Sequence, residues 1–200
     1  MVDECSPTLT SGTDGRPVVL VVDDEELVAD TYAVLLENRY ETRVAYGGEK
    51  ALETVDESVD AVLLDRRMPD VDGDEVLATI RDRGLTCKVI MATAVDPDLN
   101  ILEMEFDDYL CKPIDQETLV DTLEQHVDST RPAQAGLDEF FSIVSKLSVL
   151  EAEQTPAELE ASEEYDRLRR RAEELERDLR EDVADFDDIM ETYREINRSS

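Results

Sequence analysis

Over the first two thirds of the chain, apolar residues cluster in short dense runs separated by polar turns and by amphipathic stretches. Pro17-Val-Val-Leu-Val-Val22 is unbroken and stops at Asp23-Asp24-Glu25. A valine-rich run without polar alternation marks a strand buried on both faces, as in the middle of a parallel sheet. Residues 25–38 carry Leu27, Val28, Val34, Leu35 and Leu36, a spacing that predicts a helix packed on that sheet. Thr42–Ala45 reads as a second strand and residues 48–55 as a short helix. Asp60–Leu64 predicts a third strand ending at Asp65, then a Pro69/Asp70/Asp72/Gly73 turn and a helix over 74–83. Cys87–Ala92 is the fourth strand, ending at Thr93. Asp96-Pro97 offers a capping acceptor and a fixed φ, which opens a short helix towards residue 104. Asp108–Cys111 is the fifth strand, Lys112-Pro113 follows, and Asp115 caps a helix over 116–128.

Strand and helix signals thus alternate five times across residues 17–129, which predicts a doubly wound α/β domain with a parallel sheet. A (β/α)₈ barrel would need eight such units and about 250 residues. Residues 1–16 are polar and read as a disordered leader, and 130–136 as a linker. Residues 137–200 hold no strand pattern. Leu137, Phe140, Phe141, Val144, Leu147 and Leu150 line one face of a helix. Thr155-Pro156-Ala-Glu158 then starts a longer helix running unbroken to about residue 197. Its stripe is Leu168, Ala172, Leu175, Leu179, Val183, Phe186, Met190 and Tyr193, close to heptad spacing with one step out of phase. The expectation is an all-α helical hairpin or coiled coil. A helix of about 40 residues spans roughly 60 Å, more than the short helix can cover, which calls for a homodimer.

Charge narrows the function classes. There are 52 acidic against 20 basic residues, a net charge of −32, and lysine occurs only at positions 50, 88, 112 and 146. Binding of nucleic acid or anionic lipid through the overall field is disfavoured. Acids spread along the whole chain suit a surface working at high salt, where screening makes repulsion cheap, or one that meets basic partners. The N-terminus lacks a basic and apolar leader pattern, and no apolar run approaches membrane-spanning length, so the expected location is the reducing cytoplasm. Cys87 and Cys111 sit in strand-like surroundings and read as small core residues. The single histidine, His126, argues against a zinc site.

The chemistry gathers at the strand ends. Ligands of open α/β sheets bind there, at the switch point, and Asp23, Asp24, Asp65, Thr93 and Lys112 all fall at predicted carboxyl ends. Crowded carboxylates repel, and Mg²⁺ would relieve that while keeping phosphate oxygens in its shell. A lysine and a threonine hydroxyl opposite could hold further phosphoryl oxygens. Any one of these acids could instead be a helix cap.

Val-Val-Asp23-Asp24-Glu25, Leu-Leu-Asp65-Arg-Arg-Met68-Pro69-Asp-Val-Asp72-Gly73, Met-Ala-Thr93-Ala94 and Asp108-Tyr109-Leu-Cys-Lys112-Pro113 together resemble the receiver (phosphoacceptor) domain of two-component response regulators. The resemblance implies a flavodoxin-like sheet of order 2-1-3-4-5 and a phosphoacceptor, not an independent enzyme. It implies that Asp65 takes a phosphoryl group from a histidine kinase. Asp24, Asp65 and the backbone carbonyl of Arg67 would bind Mg²⁺, with Asp23 helping through water. Thr93 and Lys112 would hold phosphoryl oxygens, and Tyr109 would be the aromatic switch. The Arg67 side chain either flanks the site and alters the phosphoryl lifetime, or is a surface residue paired with acids.

Residues 137–200 resemble the HalX-type domain that follows receivers in halophilic archaea, through the receiver context, the acidity and an aromatic short helix before a long charged one. They carry 20 acidic and nine basic residues, with Arg167, Arg169, Arg170 and Arg171 in one cluster. That cluster is either a DNA-contacting ridge or a set of surface pairs with neighbouring glutamates. The function expected is a phosphorylation-switched regulator of transcription acting through dimerisation or protein contacts; direct DNA binding is the alternative.

Overall fold

Every residue of β1 (Val18–Val22) is buried, as its unbroken apolar run requires. The computed structural model describes residues 15–94, 99–127, 135–183, 186–187, 189–190 and 193. Around β1 stand β2 (Glu41–Ala45), β3 (Ala61–Leu64), β4 (Lys88–Thr93) and β5 (Asp108–Cys111). All pair in parallel in one five-stranded sheet of order β2-β1-β3-β4-β5. The order reverses between β1 and β3, so their carboxyl ends flank the switch point.

The residues of each strand alternate between two cores. Val19, Val21, Ala61, Leu63, Ile90, Ala92 and Leu110 pack under α1 (Glu26–Leu36) and α4 (Gln116–Val127). Leu20, Val22, Val62, Leu64, Val89, Met91 and Tyr109 face α2 (Gly48–Thr54), α3 (Gly73–Asp82) and a 3₁₀ turn over Leu99–Glu103. This second core does not stop at the sheet. It continues without a break into Leu137, Phe140, Phe141, Leu147 and Leu150 of α5 (Ala135–Glu153) and into Leu175 and Leu179 of α7 (Glu163–Asp182). Phe140 packs edge-on to Phe186 at 5.7 Å, and Phe141 stacks on Tyr193 at 4.6 Å.

Several expectations need correction. The helix of 155–197 is not continuous. The short helix α6 (Pro156–Glu160) opens on the Thr155/Glu158 capping box and ends at Ala161. Ser162 then caps α7 afresh by accepting from the Tyr165 amide, and Val183 ends α7 in an extended conformation. The two main helices have 19 and 20 residues, so α5 is long enough to cover α7, and the length mismatch that called for a second chain is absent. Of the stripe, Ala172, Leu175, Leu179, Phe186, Met190 and Tyr193 are buried within the chain, and Leu168 and Val183 are partly buried. Leu27 and Val34, expected against the sheet, are 81% and 60% exposed. Cys87 is buried, but Cys111 is exposed. The leader over 1–14, most of the linker and the Asp96-Pro97 helix start lie outside the described residues.

Candidate functional site

Three of the predicted strand ends meet in one cluster. Asp23 follows β1 and Asp65 follows β3, its amide bonded to the Val22 carbonyl at 2.9 Å. Lys112 follows β5, held to β4 by its amide bond to the Thr93 carbonyl. Its ammonium donates to Asp23 Oδ2 at 2.5 Å and to Asp65 Oδ1 at 2.7 Å. The other Asp65 oxygen, Oδ2, accepts the Arg67 amide at 2.8 Å, and Asp23 Oδ1 accepts the Glu25 amide at 2.9 Å. Asp23 and Asp65 are 3% and 7% exposed.

Burial pushes the Asp65 carboxyl above its ordinary value, the Lys112 hydrogen bond pulls against that, and the neighbouring Asp23 charge adds to the rise. Burial draws Lys112 the other way, but its bonds to Asp23 and Asp65 outweigh it and leave the ammonium above its usual range. One cation therefore compensates two buried carboxylates, and an unbalanced negative charge remains at the site.

Thr93 is buried at the end of β4, beside the strand that carries Lys112. Asp24 is exposed, and the Lys112 bonds go to Asp23 and Asp65 rather than to it. The Arg67 side chain is exposed, while its amide is fixed on Asp65. Tyr109 is 4% exposed, its ring 5.8 Å from Phe106, in the core that continues into α5 and α7. No group of three or more His, Cys, Asp or Glu residues stands ready to hold a metal among the described residues. Mg²⁺ asks for less, one or two carboxylates completed by waters and phosphate oxygens. The oxygens of Asp23 and Asp65 beside the Arg67 backbone fit that requirement.

Two features escaped the sequence reading. Arg66, adjacent to Asp65, is buried and forks onto Asp74 through Nε–Oδ1 at 2.9 Å and Nη2–Oδ2 at 3.1 Å. On β5, Asp108 gathers buried partners from three directions. Ser145 of α5 donates to Oδ1 at 2.6 Å, the Tyr109 amide to the same oxygen at 2.8 Å, and His126 Nε2 of α4 stands 3.0 Å from Oδ2. Further contacts fasten α5 to the segment before Tyr109. Ser142 donates to the Phe106 carbonyl, Lys146 to the Met104 carbonyl, and Lys88 bridges Asp107 and Asp138. A usable signal existed for His126, because Leu119, Thr122, Leu123 and His126 share one helical face.

Residues 19–124 match the family model described as the response regulator receiver domain. The chain belongs to that family. Residues 130–196 match the HalX domain, so this receiver carries a HalX region behind it. A protein of Haloferax volcanii is 42% identical over 190 residues, which is 91% of this chain and 32% of that protein. The transcriptional regulatory protein CpxR of Escherichia coli is 39% identical over 106 residues, 52% of this chain and 45% of CpxR. This response regulator therefore spans a third to a half of the length of these curated relatives. Among solved structures, the receiver domain of Francisella response regulator 1452 is 30% identical with a TM-score of 0.52, covering 58% of this chain and all of that one. The BeF₃-activated receiver domain of DrrB is 25% identical with a TM-score of 0.53, over 56% of this chain and 98% of its own. Among the described residues, no helix is long and apolar enough to cross a membrane.

Proposed function

We propose that residues 17–129 are a phosphorylation switch with Asp65 as the acceptor, and that residues 137–200 are its output. The observation that carries this reading is the convergence of Asp23 and Asp65 on Lys112, with carboxylate in excess of cation. In the transfer, an Asp65 carboxylate oxygen attacks the phosphorus of a phosphohistidine. The P–O bond forms, the P–N bond breaks, and the imidazole leaves with the electron pair and takes up a proton. Catalysis of this kind is mostly positioning and charge neutralisation. Lys112 leaves its ion pair with Asp65 to hold a phosphoryl oxygen, and the Thr93 hydroxyl donates to another. Asp23, Asp24, Asp65 and the Arg67 carbonyl would hold Mg²⁺, which supplies positive charge against the phosphoryl oxygens.

Output runs through β5, where Tyr109 is the aromatic switch and the next residue back, Asp108, holds α5. Protein contact is favoured over DNA because four of the six α7 arginines meet acids: Arg167 with Glu164, Arg169 with Asp166, Arg171 with Glu139 and Arg180 with Glu176. A homodimer on the α7 stripe requires α5 to swing away first, which makes dimerisation a consequence of opening. The names of relatives such as CpxR support a role in transcription.

The test is incubation with a small-molecule phosphodonor and Mg²⁺, read by intact mass. Wild type should gain one phosphoryl group and Asp65→Asn none; equal labelling of both would remove the assignment.

A further inference from the structure

Arg66 occupies a place where a charge is costly. It is 2% exposed, directly after Asp65, at the end of an apolar strand. A buried guanidinium is tolerated when it is paired and hydrogen-bonded, and an ion pair so buried seldom stabilises more than an apolar residue of the same volume. Its use must then be geometric. The fork closes over residues 67–73, the segment that joins Asp65 to α3, by gripping Asp74 in the first turn of that helix. A second closure lies beneath it, where the Gly73 amide donates to the Arg66 carbonyl at 2.8 Å. Gly73 approaches so closely that a β-carbon there would sit 2.3 Å from the Asp65 carbonyl oxygen. Between these closures Asp70 is held at φ 67°, a left-handed conformation that costs a non-glycine residue energy and persists only when its surroundings enforce it.

We propose that Arg66 and Asp74 form a clamp that holds the 67–73 loop so that the Arg67 backbone faces the cation site beside Asp65. Arg66 is on this account a positioning residue. It touches neither the cation nor the phosphoryl group, and acts through the loop whose Arg67 amide already binds Asp65 Oδ2. The inference rests on the phosphoacceptor reading and deepens it, by naming what sets the affinity for the divalent ion. The planar fork matters more than the charge, so lysine cannot replace it.

The test is Mg²⁺ affinity by calorimetry on the whole 200-residue chain, for wild type, Arg66→Met, Arg66→Lys, Asp74→Asn and Asp65→Asn. Urea unfolding of each without Mg²⁺ accompanies it. Both clamp variants at position 66 and Asp74→Asn should bind Mg²⁺ roughly tenfold more weakly, the scale of a lost supporting contact around a metal. Arg66→Met should keep a near wild-type unfolding midpoint, because Asp74, with a side chain 39% exposed, remains solvated when its partner goes. Wild-type Mg²⁺ affinity in the clamp variants would overturn the inference, as would weakening that merely tracks lost stability. If Arg66→Met does not fold, Asp74→Asn decides alone. Wild type binding no better than Asp65→Asn would overturn the phosphoacceptor reading, and the clamp falls with it.

Discussion

Two buried polar clusters lie at opposite ends of the sheet's last strand, and they are built on opposite plans. At its carboxyl end, Lys112 stands between Asp23 and Asp65, with two acids to one base and the Asp65 carboxyl pushed up by burial. At its start, Asp108 meets His126, Ser145 and the Tyr109 amide, so that the oxygens of one carboxylate are occupied from three elements. The first cluster keeps unsatisfied negative charge and gains from an incoming cation or a rearranged lysine. In the second, both carboxylate oxygens already have buried partners, and the cluster fastens α5 and α4 to β5. Under the proposed function, the cluster that changes state is the electrostatically incomplete one, and the joint that passes the change on is the more fully bonded one. Three residues of strand, Tyr109, Leu110 and Cys111, separate Asp108 from Lys112.

The sharpest way to break this contrast is to empty the joint. Asp108→Ala leaves His126 and Ser145 buried without their partner and should cost about 3 kcal/mol in urea unfolding, whereas Ser145→Ala alone should cost about 1 kcal/mol. Neither loss should be recovered by Mg²⁺. A loss below about 0.5 kcal/mol for Asp108→Ala would mean that the joint is not closed as described.

A second probe lies in the same joint. Lys146 is buried against the Phe106 ring at 4.7 Å, and burial pulls its ammonium down to about 8, offset in part by Asp107 and Glu105. The unfolded chain holds that proton up to its ordinary value near 10.5, so it binds more protons than the native state between the two. This lysine therefore weakens the fold below pH 8, and its contribution to stability rises with pH from about 8 towards 10. Comparison of wild type with Lys146→Met at pH 7 and pH 9.5 isolates it. The difference between them should move by about 1–2 kcal/mol in favour of wild type at the higher pH, after a discount for partial solvation.

The smallest effect belongs to the switch site. A carboxyl raised by burial contributes most when protonated, and that contribution is lost as pH rises through its folded value. Without Mg²⁺, Asp65→Asn should then be more stable than wild type at pH 7 by up to about 1 kcal/mol, and the advantage should shrink as pH falls towards 4. A variant less stable than wild type at pH 7 would show that the Lys112 pair outweighs burial.

The strand-end cluster was legible because its residues sit where apolar runs stop. A run such as Val18–Val22 can only be a central strand, and that forces Asp23 to the sheet's carboxyl edge, while the same logic places Asp65, Thr93 and Lys112. The joint was not legible. Asp108 and Ser145 are 37 positions apart, and each alone resembles an ordinary surface residue beside an element end. The break in the C-terminal helix was hidden for another reason. Ser162 interrupts no apolar spacing, so periodicity runs through it, although its side chain caps a new helix on the Tyr165 amide. The exposure of Leu27 and Val34 went unread because an apolar residue on a helix predicts a buried face whether the cover is the sheet or another molecule.

Whether the open cluster and the closed joint are connected is measured directly by hydrogen exchange on the whole 200-residue chain. With beryllofluoride and Mg²⁺ as the phosphoryl mimic, protection should fall across residues 104–109 and α5 in wild type and stay unchanged in Asp65→Asn. A wild-type response confined to residues 65–73, with α5 as protected as before, would contradict that connection.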